Sequence, residues 1–460
     1  LASPAPRRSR CSGGFIHDGL LGDSAVALVA RRIGRLGTEN AFTLGDDIRR
    51  CVDRGMEVIR FNLGAPDFRS APHLNRVATA ALEAGRSGYC DPAGILPFRE
   101  AIADHVRRTR GVDAGPERVV VTPGAKPSIG YAVQTYADEG DEVVYPSPGF
   151  PIYESWVRFA GAVPVPLPLS PDRDFAFTAD DLAPLLGERT RLVILCSPSN
   201  PTGGVLSRDD LAGIARLIRE RCRPDVRIYS DEIYEQILFD GLEHESIASH
   251  PGMPERTVLA GGHSKGFAMT GWRLGWAVLP TPEEAAIFKR ININVMSCVP
   301  PFLQEAGAAA YEDPASAVAV RRMVAEFERR RDWIVPALNE VPGVGCRTPK
   351  GAFYAFPDVS GLCARLGVYE ACEEFHKGGR GRTTPAGMLQ MFLLYRHGVA
   401  TVERASFGRI GSEGQDFLRL SIANGMEDIR RGVGRIAEAA EDAEGFAEFA
   451  DSEDAEAFCR

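Results

Sequence analysis

Ten cysteines are scattered along the 460-residue chain, and no two form a CxxC pair. No spacing of Cys, His, Asp or Glu supports a zinc site. Cys196, Cys222 and Cys372 sit in apolar or helical stretches, so reduced, structural thiols are expected. No apolar run approaches the ~20 residues needed to cross a bilayer. No segment concentrates the basic charge that a nucleic-acid surface requires. Internal repeats and long linkers are also lacking. Residues 1–17 carry Arg7, Arg8 and Arg10 but no acid, and they have no apolar core of the secretory kind. That leaves either an organelle-targeting remnant or a leader without order over residues 1–24. The first residue is Leu, which suggests a processed or incomplete start. The expected location is the cytoplasm, without membrane or nucleic-acid partners.

What is present is ordinary for a globular chain: 44% apolar and 25% charged residues, with a formal net charge of -9. The acidity is local. Nine acids and no Lys or Arg lie between Glu438 and Glu456, so the body is near neutral. We read residues 441–460 as an acidic tail, solvated as a helix or without order. Residues 25–60 have a helical pattern and read as the N-terminal segment of a smaller domain. Residues 61–314 alternate strand and helix. Short apolar runs at 118–121, 142–145, 192–195, 226–229, 257–260 and 275–278 read as strands, with a helix from 128 to 138. Near-continuous apolar strands imply an α/β fold with a mostly parallel sheet covered on both faces. Residues 315–440 read as a small α+β domain. It has a long charged helix to about 338, strands near 352–356, 399–402 and 418–421, and a closing helix over 426–440. Residues 378–385, rich in Gly, Arg and Thr, read as an exposed loop.

In parallel α/β sheets, ligands bind where strands end. Four strand ends here carry chemistry. Pro123, Gly124, Ala125 and Lys126 open a helix, and its first N–H groups suit a phosphate or simply make a turn. Asn200 lies in a Ser-Asn-Pro-Thr-Gly turn, as a donor into a site or as a turn former. Asp231, with Tyr234 three residues on, either caps a helix or faces a cation. Lys265 stands between Ser264 and Gly266, with Arg273 eight residues later. A lysine and an arginine there would neutralise a phosphate dianion, and the lysine would also suit a Schiff base.

Taken together, these segments resemble the class I/II pyridoxal 5'-phosphate (PLP)-dependent aminotransferases of fold type I. The resemblance covers residues 30–440. It rests on HSKGFAMTGWRLGW, SPSNPTGG, YSDEIYE, SGYCDPAGILPFREAI, VTPGAKPSIG, FNLGAPDF, GAFYAFP and FLRLSIAN, in order. It implies a seven-stranded, mostly parallel sheet in a large PLP-binding domain, with a smaller α+β domain beside it. It also implies transamination between an L-amino acid and a 2-oxo acid.

The resemblance further implies roles for named residues. Lys265 would bond the cofactor and move the proton. Asp231 would pair with the ring nitrogen and keep it protonated. Asn200 and Tyr234 would meet the ring hydroxyl oxygen, and Phe150 would stack on the ring. Arg273, Ser264 and the backbone of Ala125 and Lys126 would hold the phosphate. Tyr89 would reach it from the second subunit of a homodimer with shared sites. Arg419 would take the substrate carboxylate as a bidentate fork, assisted by the Gly64 N–H and Asn200. Lys126 either meets a distal carboxylate of aspartate or glutamate or faces solvent.

The chain departs from the pattern in three places. Gly262 stands where many relatives have a phosphate-binding Ser. Ala65 stands where many have an acid. Residues 361–385 look like an insertion able to alter domain closure. Elimination, cyclisation or oxidation on the same cofactor is the alternative reaction. A non-catalytic PLP-binding regulator would need a DNA-binding domain, and the residues before FNLGAPDF show no basic recognition helix.

Overall fold

The computed structural model describes residues 28–459; the expected leader, residues 1–24, lies outside them. Seven strands form the central sheet: β1 (Val119–Thr122), β2 (Glu142–Ser147), β3 (Val163–Pro168), β4 (Thr190–Cys196), β5 (Arg227–Asp231), β6 (Thr257–Gly262) and β7 (Gly275–Val278). Their spatial order is β1-β7-β6-β5-β4-β2-β3. β7 runs antiparallel to both neighbours, and the other pairs are parallel. Every residue of β1, β6 and β7 is buried, as expected where helices cover both faces and no strand face meets water. Six of the seven strands coincide with the apolar runs in the sequence. The seventh, β3, reads Val-Pro-Val-Pro-Leu-Pro. Proline cannot donate to a ladder, so such a strand is tolerated only at an edge. β3 is the edge strand, paired with β2 alone.

The parallel strands β2, β4, β5 and β6 all end on one rim, at Ser147, Cys196, Asp231 and Gly262. β1 ends on the same rim, because the antiparallel β7 begins there: Thr122 pairs with Gly275 and Gly262 also pairs with Gly275. The helix Lys126–Tyr136 therefore starts at this rim.

A smaller unit sits over the rim. Val402–Glu403, Leu418–Ser421 and Tyr354–Ala355 form an antiparallel sheet; the helix Pro314–Asn339 packs against Tyr354–Ala355 and against the helix Met426–Ala440. Ile59–Arg60 pairs in parallel with Val399–Ala400. One apolar cluster joins the two units. It runs from Val193 and Ile228 on the central sheet to Phe353 and Leu420 in the smaller one.

The acidic stretch after Ala440 differs from the sequence reading: it is packed. A helix, Ala443–Ala450, places Phe446 and Phe449 against Phe392, and both are buried. Two aromatics three apart make an apolar stripe among the acids, and burying it outweighs the local charge. The acids are anchored too: Asp442 to His397 at 3.1 Å, Asp454 to Arg54 at 2.8 Å and Glu456 to Arg380 at 2.9 Å. Most of residues 361–385 are helical (Ser360–Leu366 and Val368–Lys377). In the loop that follows, Arg380 donates to the carbonyls of Ala450 and Ser452. The inserted segment and the tail thus support each other.

Candidate active site

A cavity of about 540 Å³ opens where the strand ends meet the smaller unit. Gly64, Ala125, Lys126, Phe150, Asn200, Asp231, Tyr234, Ser264, Lys265, Arg273 and Arg419 all line it. They come from several separate turns and strands, so the sheet rim and the smaller unit are what gather them.

Lys265 and Asp231 face this common space. The Lys265 Nζ donates to the Gly64 carbonyl at 2.5 Å and carries no carboxylate partner among its bonds. Burial, with Arg419 as a second positive charge, pushes its proton affinity down to about 8. Asp231 is pushed up to about 6, chiefly by burial, although the Tyr153 hydroxyl and the Ile233 N–H favour its ionised form. Tyr153 Oη donates to Asp231 Oδ2 at 2.7 Å. A cation placed opposite Asp231 would hold it ionised. The Tyr234 hydroxyl meets the Tyr354 hydroxyl at 2.7 Å. Gly64 must lack a side chain, because a Cβ there would overlap the Tyr354 hydroxyl.

One end of the cavity suits an anion. The helix Lys126–Tyr136 begins without a side-chain cap; Pro127 has no N–H and the Ser128 N–H is taken by the Ala125 carbonyl at 3.1 Å, so the N–H groups of Ala125 and Lys126 are those left at the cavity wall. Arg273 is held beside them by the carbonyls of Pro123 at 3.0 Å and Thr270 at 2.8 Å. Gly124 is in the left-handed region at φ 85°, and a Cβ there would run into the Arg273 guanidinium. A bare backbone, an uncapped helix start and a fixed guanidinium together fit a phosphate. Gly262 also has a structural reason: a Cβ would lie 2.8 Å from the Leu274 carbonyl oxygen, so a serine would not fit this backbone unchanged.

At the other end, Arg419 is buried rather than a surface strand residue. It donates to Asn200 Oδ1 at 3.1 Å and to the Asn62 carbonyl at 2.5 Å, and its Nε has no partner. The Tyr354 and Phe407 rings flank it at 4.6 and 4.9 Å. Lys126 does not simply face water. Its Nζ pairs with Glu39 at 3.0 Å and lies 5.4 Å from the Phe150 ring centre.

Tyr89 is 91% exposed and does not line the cavity of its own chain. No residue of 361–385 lines it either. The sequence reading passed over Tyr153 and Tyr354, which buttress Asp231 and Tyr234. Tyr153 lies one helical turn beyond Phe150, and Tyr354 follows Phe353 inside the segment GAFYAFP. Glu39, Phe42, Ile233 and Phe407 also line the site. Only the fold brings Glu39 and Phe42 there, since no local pattern marks them.

The chain belongs to the aminotransferases of class I and II, whose family model matches residues 56–436. It is 34% identical to a probable aspartate/prephenate aminotransferase of Aquifex aeolicus, over 90% of this chain and 99% of the relative. It is 35% identical to aromatic-amino-acid aminotransferase 2 of Thermococcus litoralis, over 85% and 94%. The solved aspartate aminotransferase of Rhizobium meliloti superposes with a TM-score of 0.79 at 29% identity, covering 90% and 98%. The protein is thus a PLP-dependent aminotransferase of the type I fold.

Proposed function

We propose that the cavity binds PLP through Lys265, with Asp231 at the ring nitrogen, and transaminates an acidic amino acid against a 2-oxo acid. The observation that carries this reading is a half-buried amine and a buried carboxylate facing one 540 Å³ space that Arg419 also lines. When bound, PLP supplies an aldehyde that takes up the amino group and a protonated ring that accepts electron density. The rest falls to the side chains. Asp231, ionised opposite the ring, holds the proton on its nitrogen, and Tyr153 holds Asp231. Lys265, with its affinity near 8, is neutral often enough to carry a proton at the substrate Cα.

Asn200 has its side-chain oxygen engaged by Arg419, so its amide nitrogen is the group it offers to the ring hydroxyl. Tyr234 offers its hydroxyl beside it. Phe150 covers the ring from the side of helix Ile152–Ala160. Ala125, Lys126, Ser264 and Arg273 take the phosphate. Arg419 and Gly64 take the substrate α-carboxylate. The Glu39–Lys126 pair supports the acidic substrate: a distal carboxylate replaces Glu39 on Lys126.

Tyr89, bare on its own chain, completes the phosphate site of a second copy, so the unit is a homodimer with shared sites. The exposed apolar side chains Leu28, Ile293 and Val295 suit burial between copies. Cys51, Cys90, Cys196, Cys222, Cys298, Cys346 and Cys363 are free thiols, which suits the reducing cytoplasm. Among the described residues no helix is long and apolar enough to cross a membrane.

The test is a panel of amino acids with 2-oxoglutarate, pyruvate or oxaloacetate as acceptor. Aspartate or glutamate should be the best donor. Ammonia released without an oxo acid would contradict transamination, and indifference to a distal carboxylate would contradict the acidic donor.

A further inference from the structure

The turn that carries Asp231 and Tyr234 has two faces. Asp231 and Tyr234 line the cavity, whereas Glu232 and Glu235 do not. The two glutamates are buried among ionisable groups that the proposed reaction leaves unused. Arg110, the last residue of helix Leu96–Arg110, is buried as well and reaches both. Its Nε donates to Glu232 Oε2 at 2.8 Å, and a terminal nitrogen donates to Glu235. His105 Nε2, from the same helix, lies 3.0 Å from Glu235 Oε1. His244 Nε2 lies 3.0 Å from Glu232 Oε2. Ser230 and Ser246 donate to Glu232 Oε1 at 2.8 and 2.6 Å. Each oxygen of both carboxylates therefore has a partner.

The cluster extends towards the lysine. His105 stacks on Tyr311 with centres 4.2 Å apart, and Tyr311 meets His263 at 4.7 Å. His263 is two residues before Lys265 and is fixed to the Gly307 carbonyl at 3.0 Å. Tyr311 in turn accepts a bond from Trp276 Nε1 of β7 at 2.8 Å. The line from Glu235 through His105, Tyr311 and His263 thus spans the two turns that face each other across the cavity.

A buried ionic cluster is seldom more stable than apolar side chains of the same volume. Its distinctive property is that each bond has one geometry. Burial opposes the charge on both glutamates, yet Arg110 and the histidines hold Glu232 down to about 2 and Glu235 lower still. Arg110 also balances Glu232, the like charge next to Asp231. The other groups that bear on Asp231 are Tyr153, the Ile233 N–H, Lys265, Cys196 and Tyr229.

We propose that Arg110, Glu232, Glu235 and His105 form a positioning cluster that fixes Asp231 and Tyr234 relative to Lys265. The proposal rests on the active-site reading of Asp231 and Lys265. None of the four lines the cavity, so they act through the turn and not on the substrate.

The test compares the wild-type holoenzyme with the neutral triple variant Arg110→Met, Glu232→Gln, Glu235→Gln and with Glu235→Gln alone. Circular dichroism and thermal melting report folding. The discriminating readings are the pH midpoint of the bound cofactor's absorption spectrum and the separate values of kcat and KM. In a folded variant the midpoint should move by about half a unit or more. The kcat should fall about tenfold while KM for the amino donor stays within about twofold. A folded variant with an unchanged midpoint and unchanged kcat, even if it melts earlier, would overturn the proposal and leave a structural cluster only. If the triple variant does not fold, Glu235→Gln is judged by the same two readings. Wild-type protein that fails to bind PLP at Lys265 would instead remove the active-site reading on which the cluster depends.

Discussion

Lys265 is the most informative single residue, because its surroundings alter its chemistry in a measurable way. Burial and Arg419 lower its affinity to about 8, against about 10.4 for a free lysine. The amine must be neutral to attack an aldehyde, and it is neutral above that value. The rate at which cofactor-free protein takes up PLP should therefore rise with pH and level off just above 8; stopped-flow absorbance would show this. A rate that keeps climbing past pH 10 would indicate an ordinary lysine.

At this scale the sequence was legible where a reactive side chain sits at the end of an apolar run, as for Lys265, Asp231 and Asn200. It was less legible for supporting residues. Tyr153 and Tyr354 act by holding another side chain, and nothing in their own neighbourhood marks that. Arg419 is the middle case. Its place in a short strand does not say which face is covered, and the smaller unit folds it inward.

Elements gather these residues through a few close backbone approaches. β7 passes so near the turn before helix Lys126–Tyr136 that a Cβ on Gly275 would overlap the backbone of Gly124. Gly275→Ala should push strand and turn apart, shifting both Arg273 and the start of helix Lys126–Tyr136. Cofactor affinity measured by equilibrium dialysis is expected to fall about tenfold, a loss of ~1.4 kcal/mol. Unchanged affinity would show that the turn does not depend on β7. The same reasoning explains which elements the sequence revealed. Buried parallel strands announce themselves as apolar runs, whereas β3, broken by three prolines, does not. The helix Ala443–Ala450 was hidden by the charge around it, although Phe446 and Phe449 are the residues that dock it.

At the scale of the whole molecule, the single chain leaves Tyr89 bare. The proposed sharing of sites between two copies makes a specific prediction. Lys265→Ala and Tyr89→Ala proteins are each expected to be nearly inactive. Unfolded and refolded together in equal amounts, they should form hybrid dimers in which one of the two sites keeps both residues. Activity should then recover to about a quarter of wild type, because half the dimers are hybrids with one intact site. No recovery, with hybrids confirmed by native mass spectrometry, would place Tyr89 outside the partner's site.

The central claim is that one particular amine carries the cofactor, and it can be read directly. Holoenzyme is reduced with borohydride, digested and analysed by mass spectrometry. A pyridoxyl phosphate group on the peptide containing Lys265, and nowhere else, is the predicted result. A group on another lysine, or none on a protein that still turns over substrate, would contradict the account.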